Sequence, residues 1–102
     1  MAAIRWTARA DQDVDSIHAY ISQTSPVTAA RTIENILAAV RQLADFPRLG
    51  RTVPELPDLG LRELVVPPFR VLYTLSDDDA VQIQGIYRST RDLRRHVGDL
   101  LN

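Results

Sequence analysis

The chain has 102 residues, of which 45% are hydrophobic and 25% charged, and no cysteine. That length suits one domain, residues 1–102, with a single modest core, since domains typically run ~100–200 residues and one of this size buries about 60–70% of its unfolded surface. The absence of cysteine excludes disulfides, thiol nucleophiles and thiolate metal sites, and twelve basic residues against thirteen acidic ones, for a net charge of −1, exclude a globally basic nucleic-acid binder.

In chain order, Ala3-Ile4-Arg5-Trp6 is short and β-prone and can pair as a strand. Thr7 is placed to cap a first helix, and Asp11, Asp13 and Asp15 suit its positive end. Ala10, Val14, Ile17 and Ile21 form one apolar stripe at helical spacing. Ser25-Pro26 reads as an N-cap followed by proline at the first helical position. The second helix carries a broad apolar face from Ala29 through Ile33, Ile36, Leu37, Val40, Leu43 and Ala44, and it must stop at Phe46-Pro47. The short link between the helices predicts an antiparallel helical hairpin. Residues 48–60, with Pro54, Pro57, Gly50 and Gly60, form an ordered connection able to pack down through Leu49, Val53, Leu56 and Leu59. Three β-prone runs follow, Leu61 to Val66, Phe69 to Leu75 and Ala80 to Arg88. The tail from Thr90 to Leu101, with Leu93, Val97, Leu100 and Leu101 at helical spacing, reads as a short helix.

The last two strands carry a register. A three-residue loop at Asp77-Asp78-Asp79 pairs Leu75 with Val81, Tyr73 with Ile83, Val71 with Gly85 and Phe69 with Tyr87, so that the apolar sets share one face. Strict alternation then puts Arg70, Leu72 and Thr74 on the other face with Ile86, Gln84 and Gln82. Arg88 lies diagonal to Arg70, and Arg62 is within reach of the same face. With the helical hairpin covering the Phe69/Val71/Tyr73 face, this arginine face is expected to stay open. The class is α+β: an N-terminal strand, an antiparallel helical hairpin on one face of a small antiparallel sheet, and a short C-terminal helix.

Recognisable catalytic patterns are missing. There is no Gly-x-Ser-x-Gly elbow, no phosphate-binding glycine loop and no metal-ligand spacing. His18 and His96 are expected as ordinary histidines at or near the surface, and the acidic triplet as a solvated turn. Arginine stays protonated and cannot serve as a base, but it binds anions well. Neither metal nor cofactor is expected, and the residues favour binding over catalysis. No stretch approaches the ~18 apolar residues of a membrane span, and the start lacks the apolar run of a signal peptide. The expected location is therefore the cytoplasm, without membrane contact.

Several runs taken together resemble the ParE branch of the ParE/RelE superfamily of type II toxin–antitoxin toxins. They are Trp6-Thr7 opening a helix, Phe46-Pro47-Arg48-Leu49-Gly50-Arg51, Val53-Pro54-Glu55-Leu56, Arg62-Glu63-Leu64-Val65-Val66, Phe69-Arg70-Val71-Leu72-Tyr73 and Ile86-Tyr87-Arg88-Ser89-Thr90-Arg91-Asp92. The resemblance runs over essentially the whole chain in order and implies the same helical hairpin on a sheet. It implies a bacterial toxin that inhibits DNA gyrase by binding. It also implies a cognate ParD-like ribbon-helix-helix antitoxin that neutralises the toxin in a hetero-oligomer and links it, indirectly, to operator DNA. RelE-like members instead cut message on the ribosome. Under that alternative the matching residues are Arg70 and Arg91, with His96 near the place of a missing C-terminal tyrosine, but all twelve basic residues here are arginine and the lysines of the RelE set are absent. A third possibility is an inactive homologue that only binds antitoxin. The residues expected to meet target or antitoxin are Arg62, Arg70, Leu72, Ile86, Arg88, Arg91, Arg94 and Arg95.

Overall fold

The computed structural model describes residues 1–101, without the side chains of Asp99 and Leu101. Strand β1 (Ile4–Trp6) leads into helix α1 (Ala8–Ser22) and helix α2 (Pro26–Arg41), whose last turn tightens to a 3₁₀ turn at Gln42–Ala44 before Pro47. Strands β2 (Arg51–Thr52), β3 (Arg62–Val66), β4 (Phe69–Leu75) and β5 (Val81–Arg88) follow, then a 3₁₀ turn (Leu93–His96) and helix α3 (Val97–Leu101). The helix starts form as their residues dictate. The Thr7 side chain accepts from Ala10 N–H at 3.0 Å, the Ser25 side chain accepts from Thr28 N–H at 3.2 Å, and Pro26 opens α2.

The sheet order is β1-β5-β4-β3-β2. Strands β2 to β5 run antiparallel, whereas β1 joins β5 in parallel, Ile4 opposite Val81 and Trp6 opposite Ile83. The hairpin at the acidic triplet closes as expected: Ser76 N–H donates to Ala80 O at 2.9 Å, and Asp79 takes the left-handed φ of 62° that ends such a loop. The tip is not merely solvated, because Arg48 reaches Asp79 at 2.8 Å.

Two expectations about the sheet are overturned. The register holds from Leu75–Val81 to Tyr73–Ile83, then slips by one: Leu72 faces Gly85, Val71 faces Ile86, Arg70 faces Tyr87 and Phe69 faces Arg88. Gln84 is the extra residue of a β-bulge, and the glycine beside it was the mark of it in the sequence. Beyond the bulge every side chain of β5 changes face. Ile86 therefore joins the helix-side core of Ile36, Val40, Leu43, Val71, Tyr73 and Ile83, while Tyr87 leaves it.

Secondly, the reverse face of the sheet is not open. Val53, Leu56 and Leu61 from the 53–61 segment, with Leu93 and Leu100 from the C-terminal segment, close over Leu72 and Tyr87. The domain thus has two apolar layers, one on each sheet face, where length alone suggested one core. Leu72 and Leu93 are fully buried, each a gain of about 1.5–3 kcal/mol over exposure. The part expected of Leu101 in this tail lies outside the described side chains.

Candidate functional site

A buried charge network occupies the reverse layer. Arg70, only 5% exposed, donates through Nη1 and Nη2 to both oxygens of Glu55, through Nη1 to Glu63 at 2.8 Å and through Nη2 to the backbone oxygen of Arg91. Glu63, with a fully buried side chain, also accepts from Arg51 Nε at 2.6 Å. Glu55 further accepts from Leu93 N–H at 3.3 Å. One guanidinium thus ties the 53–56 segment, β3, β4 and the C-terminal segment together. The hydrogen bonds from Arg70 hold the Glu55 carboxyl down from its ordinary 4.5 to about 2, against a burial effect that acts the other way. A carboxylate lowered on folding adds stability that is complete above its ordinary value and drains away as the pH falls through the folded one. Acid titration followed by thermal unfolding is therefore expected to show a loss between about pH 4.5 and about pH 2, and Glu55→Gln is expected to flatten that part of the curve.

The turn in the Phe-Pro-Arg-Leu-Gly-Arg run is built around a tyrosine. Tyr73, fully buried at the centre of β4, accepts from Gly50 N–H at 2.8 Å and donates to Pro47 O at 2.9 Å. Arg62 Nη1 caps the same turn through Gly50 O at 2.7 Å. Arg62 pairs with Tyr73 in the register and so lies on the helix-side face, not beside Arg70.

A cleft of about 370 Å³ lies between α1 and the ends of β4 and β5. One wall is Ile17, Ile21 and the exposed Tyr20 from α1, and the floor is Phe69 and Ile86. Three arginines border it: Arg9 from α1, Arg88 at the end of β5 and Arg91 just beyond. Arg88 leads here because of the bulge. It lies over the Phe69 ring, 5.4 Å from the centroid. Arg9 donates to Asp13 at 3.2 Å and to the Tyr87 hydroxyl at 2.7 Å, with its guanidinium 5.3 Å from the Tyr87 centroid. The other side of this tyrosine meets His96, ring centroids 5.1 Å apart.

Asp13 fixes the bulge. Its Oδ2 accepts from the Ile86 N–H at 2.9 Å, a β5 donor beyond the reach of the three-residue β1. Gly85 leaves room for that carboxylate, since a Cβ there would stand 3.2 Å from it and from the Tyr87 ring. Asp13→Ala is expected to strand the Ile86 amide and cost about 1–3 kcal/mol, whereas Asp13→Asn, which keeps an acceptor, should cost less; urea unfolding of the two variants measures the difference.

The residues singled out in the sequence are therefore dispersed. Arg88 and Arg91 border the cleft and Ile86 is in its floor. Arg70 and Leu72 are buried in the reverse layer, and Arg62 holds a turn. Arg94 pairs with Asp92, two positions before it, at the surface, and Arg95 is exposed. Of the set matched to message cleavage, Arg91 has an exposed side chain, His96 packs on Tyr87 and Arg70 is enclosed. Sequence reasoning passed over Arg9, Asp13 and Tyr87, because only the bulge brings Tyr87 to the i,i+4 pair of Arg9 and Asp13 on α1, and over Glu55 and Glu63, because their partner Arg70 is expected on an open surface. Among the described residues no group of three or more acidic, histidine or cysteine side chains could hold a metal ion, and no helix is long and apolar enough to cross a membrane.

Comparison with known proteins agrees with this architecture. The family model described as the ParE toxin of the type II toxin–antitoxin system parDE matches residues 4–93. Toxin RelE2 of Caulobacter vibrioides is 41% identical over 78 residues, covering 76% of this chain and 84% of its own, and Toxin ParE3 of the same organism is 34% identical over 70 residues, covering 68% and 69%. Among solved structures, the chromosomal ParDE toxin–antitoxin system from P. aeruginosa superposes with a TM-score of 0.71 at 26% identity, covering 86% of this chain and 96% of that one. The toxin–antitoxin complex RelBE2 from Mycobacterium tuberculosis shares the fold, with a TM-score of 0.55 at 22% identity over 85% and 96% of the two chains. The match over nearly the whole chain, in a fold with the same order of helical hairpin and sheet, places this protein in the ParE toxin family of type II toxin–antitoxin systems, within the ParE/RelE superfamily.

Proposed function

We propose that the protein acts by binding and not by bond cleavage: it engages and blocks DNA gyrase in the cytoplasm, and a ParD-like ribbon-helix-helix antitoxin neutralises it in a hetero-oligomer that alone connects it to operator DNA. The observation that carries this reading is the burial of Arg70. The arginine matched to the message-cleaving set is 5% exposed, two carboxylates and a carbonyl take its terminal Nη1 and Nη2 donors, and its Nε is buried with no partner among the described residues. An arginine so committed serves the fold and has little left for a phosphate in a transition state. The absence of lysine from the sequence points the same way. Purified protein is expected to inhibit plasmid supercoiling by gyrase. Unimpaired supercoiling together with message cleavage in a translating extract would overturn the proposal.

One observation favours the RelE-type reading: the relative named RelE2 is 41% identical, against 34% for the one named ParE3. Under that reading the work falls to Arg91 and His96, and Arg91→Ala would abolish cleavage while leaving the thermal transition in place.

A further inference from the structure

Residues 88–96 carry four arginines against one aspartate, in a chain whose net charge is −1. Arg88, Arg91, Arg94 and Arg95 are all exposed, and so are Ser89 and Thr90. Arg88, Arg91 and Arg95 form no ion pair among the described residues, whereas Arg9, Arg48, Arg51 and Arg70 are each taken up by a carboxylate. Asp92 is engaged by Arg94, and Glu55, which accepts from the Leu93 N–H, is spent on Arg70. The backbone bearing these arginines is fixed. Arg70 holds the Arg91 oxygen, Glu55 the Leu93 N–H and Asp92 the Arg94 N–H, and Leu93 is fully buried. A backbone set in advance in this way loses little freedom on binding.

We propose that this surface binds the phosphate backbone of duplex DNA, so that the toxin grips the DNA held by gyrase as well as the enzyme. The chemistry of the surface selects the occupant. Its outward side chains are guanidinium and hydroxyl groups, the common partners of phosphate oxygens. The one large apolar residue within 88–95, Leu93, is fully buried, so these arginines do not surround the apolar centre on which a protein interface is built. Single strands need open aromatic faces for base stacking, and the one ring in the segment, His96, packs on Tyr87. Contact through phosphate alone is independent of base sequence, which sets it apart from the operator recognition assigned to the antitoxin. The DNA contact stands on the charge and exposure of the segment; its link to gyrase rests on the reading of the protein as a gyrase inhibitor.

The test measures fluorescence anisotropy of a labelled duplex of about 20 base pairs titrated with the full chain. A surface that neutralises about three or four phosphates should lose roughly 40- to 150-fold in affinity between about 50 and about 200 mM salt, equally for A·T-rich and G·C-rich duplexes. Arg94→Ala/Arg95→Ala, which leaves the cleft lining untouched, is expected to bind roughly 10-fold more weakly at low salt, with a salt slope smaller by about 2. Arg94→Lys/Arg95→Lys, which keeps both charges, should hold the slope. Circular dichroism checks the fold, and Val27→Ser, exposed on α2, is the control. At fixed salt the alanine variant should also inhibit gyrase supercoiling more weakly than the wild type. Duplex binding that is absent at low salt, or unchanged in the alanine variant, would overturn the proposal. So would gyrase inhibition indifferent to the loss of duplex binding, or tighter binding of a single-stranded RNA oligonucleotide than of the duplex. Weaker inhibition with duplex binding unaltered would give the arginines to a protein partner and overturn it as well. Duplex binding lost in the alanine variant, with supercoiling unimpaired even by the wild type, would overturn the gyrase reading and leave the DNA surface standing.

Discussion

Arg70→Ala is expected to remove about 3–5 kcal/mol of stability, because it leaves Glu55 without its cation and the fully buried Glu63 carboxylate with Arg51 on one oxygen alone. Domains of this size have about 5–15 kcal/mol in total, so the variant should melt more than about 10 °C lower, if it folds. Thermal unfolding by circular dichroism reads the effect. Arg70→Lys restores the charge but not the two-pronged contact with Glu55, and it should recover only part of the loss. Replacing Arg70, Glu55 and Glu63 together with apolar residues of similar volume should be milder than Arg70→Ala, since burying a charge cluster is itself expensive and the penalty comes chiefly from the orphaned partners. The functional consequence is specific. A loss of toxicity in Arg70→Ala that follows its loss of folded protein supports a structural arginine. A stable, fully folded but inactive Arg70→Ala would instead give the residue a direct role and weaken the binding proposal.

Gly50→Ala is expected to cost about 3 kcal/mol. A Cβ there would lie 2.6 Å from the Glu63 backbone oxygen and 2.6 Å from both Cε1 and the hydroxyl of Tyr73. Neither a strand backbone nor a fully buried ring yields easily, so the turn must lift away. Lifting breaks the Tyr73 bonds to Gly50 and Pro47 and the Arg62 bond to Gly50 O. The urea midpoint should fall with little change in slope. Tyr73→Phe alone should cost about 1–3 kcal/mol by leaving the Pro47 carbonyl and Gly50 amide unpaired. Because both substitutions break the same contact, the double variant should cost clearly less than the sum.

These two sites also mark where local pattern was enough and where it was not. The caps at Thr7 and Ser25, the proline stop after α2 and the loop at Asp77 to Asp79 were all legible, because each follows from interactions within a few residues. The glycine of the Phe-Pro-Arg-Leu-Gly-Arg run stood out as part of a family resemblance, but its reason, a tyrosine hydroxyl 23 positions away, belongs to the folded chain. In β5 strict alternation was the correct rule for half the strand and the wrong one for the rest. A single bulged residue moved Ile86 into the main core, turned Tyr87 to the reverse layer and aimed Arg88 at the cleft.

The sequence by itself determined the class of the fold, the helical hairpin, the order of the strands along the chain and the family, all of which rest on periodicity, turn chemistry and motif order. It also supplied twelve arginines without saying where they go. The tertiary structure decided that: Arg70 inside a carboxylate cage, Arg62 capping a turn, Arg88 and Arg91 at the mouth of a cleft. The physical reason is that an arginine's role depends on which carboxylate, carbonyl or ring lies within a few ångströms of it. Those neighbours come from segments far away in sequence: Glu55 and the backbone of Arg91 lie 15 and 21 positions from Arg70, and Asp13, which fixes the bulge, lies 73 positions from Ile86.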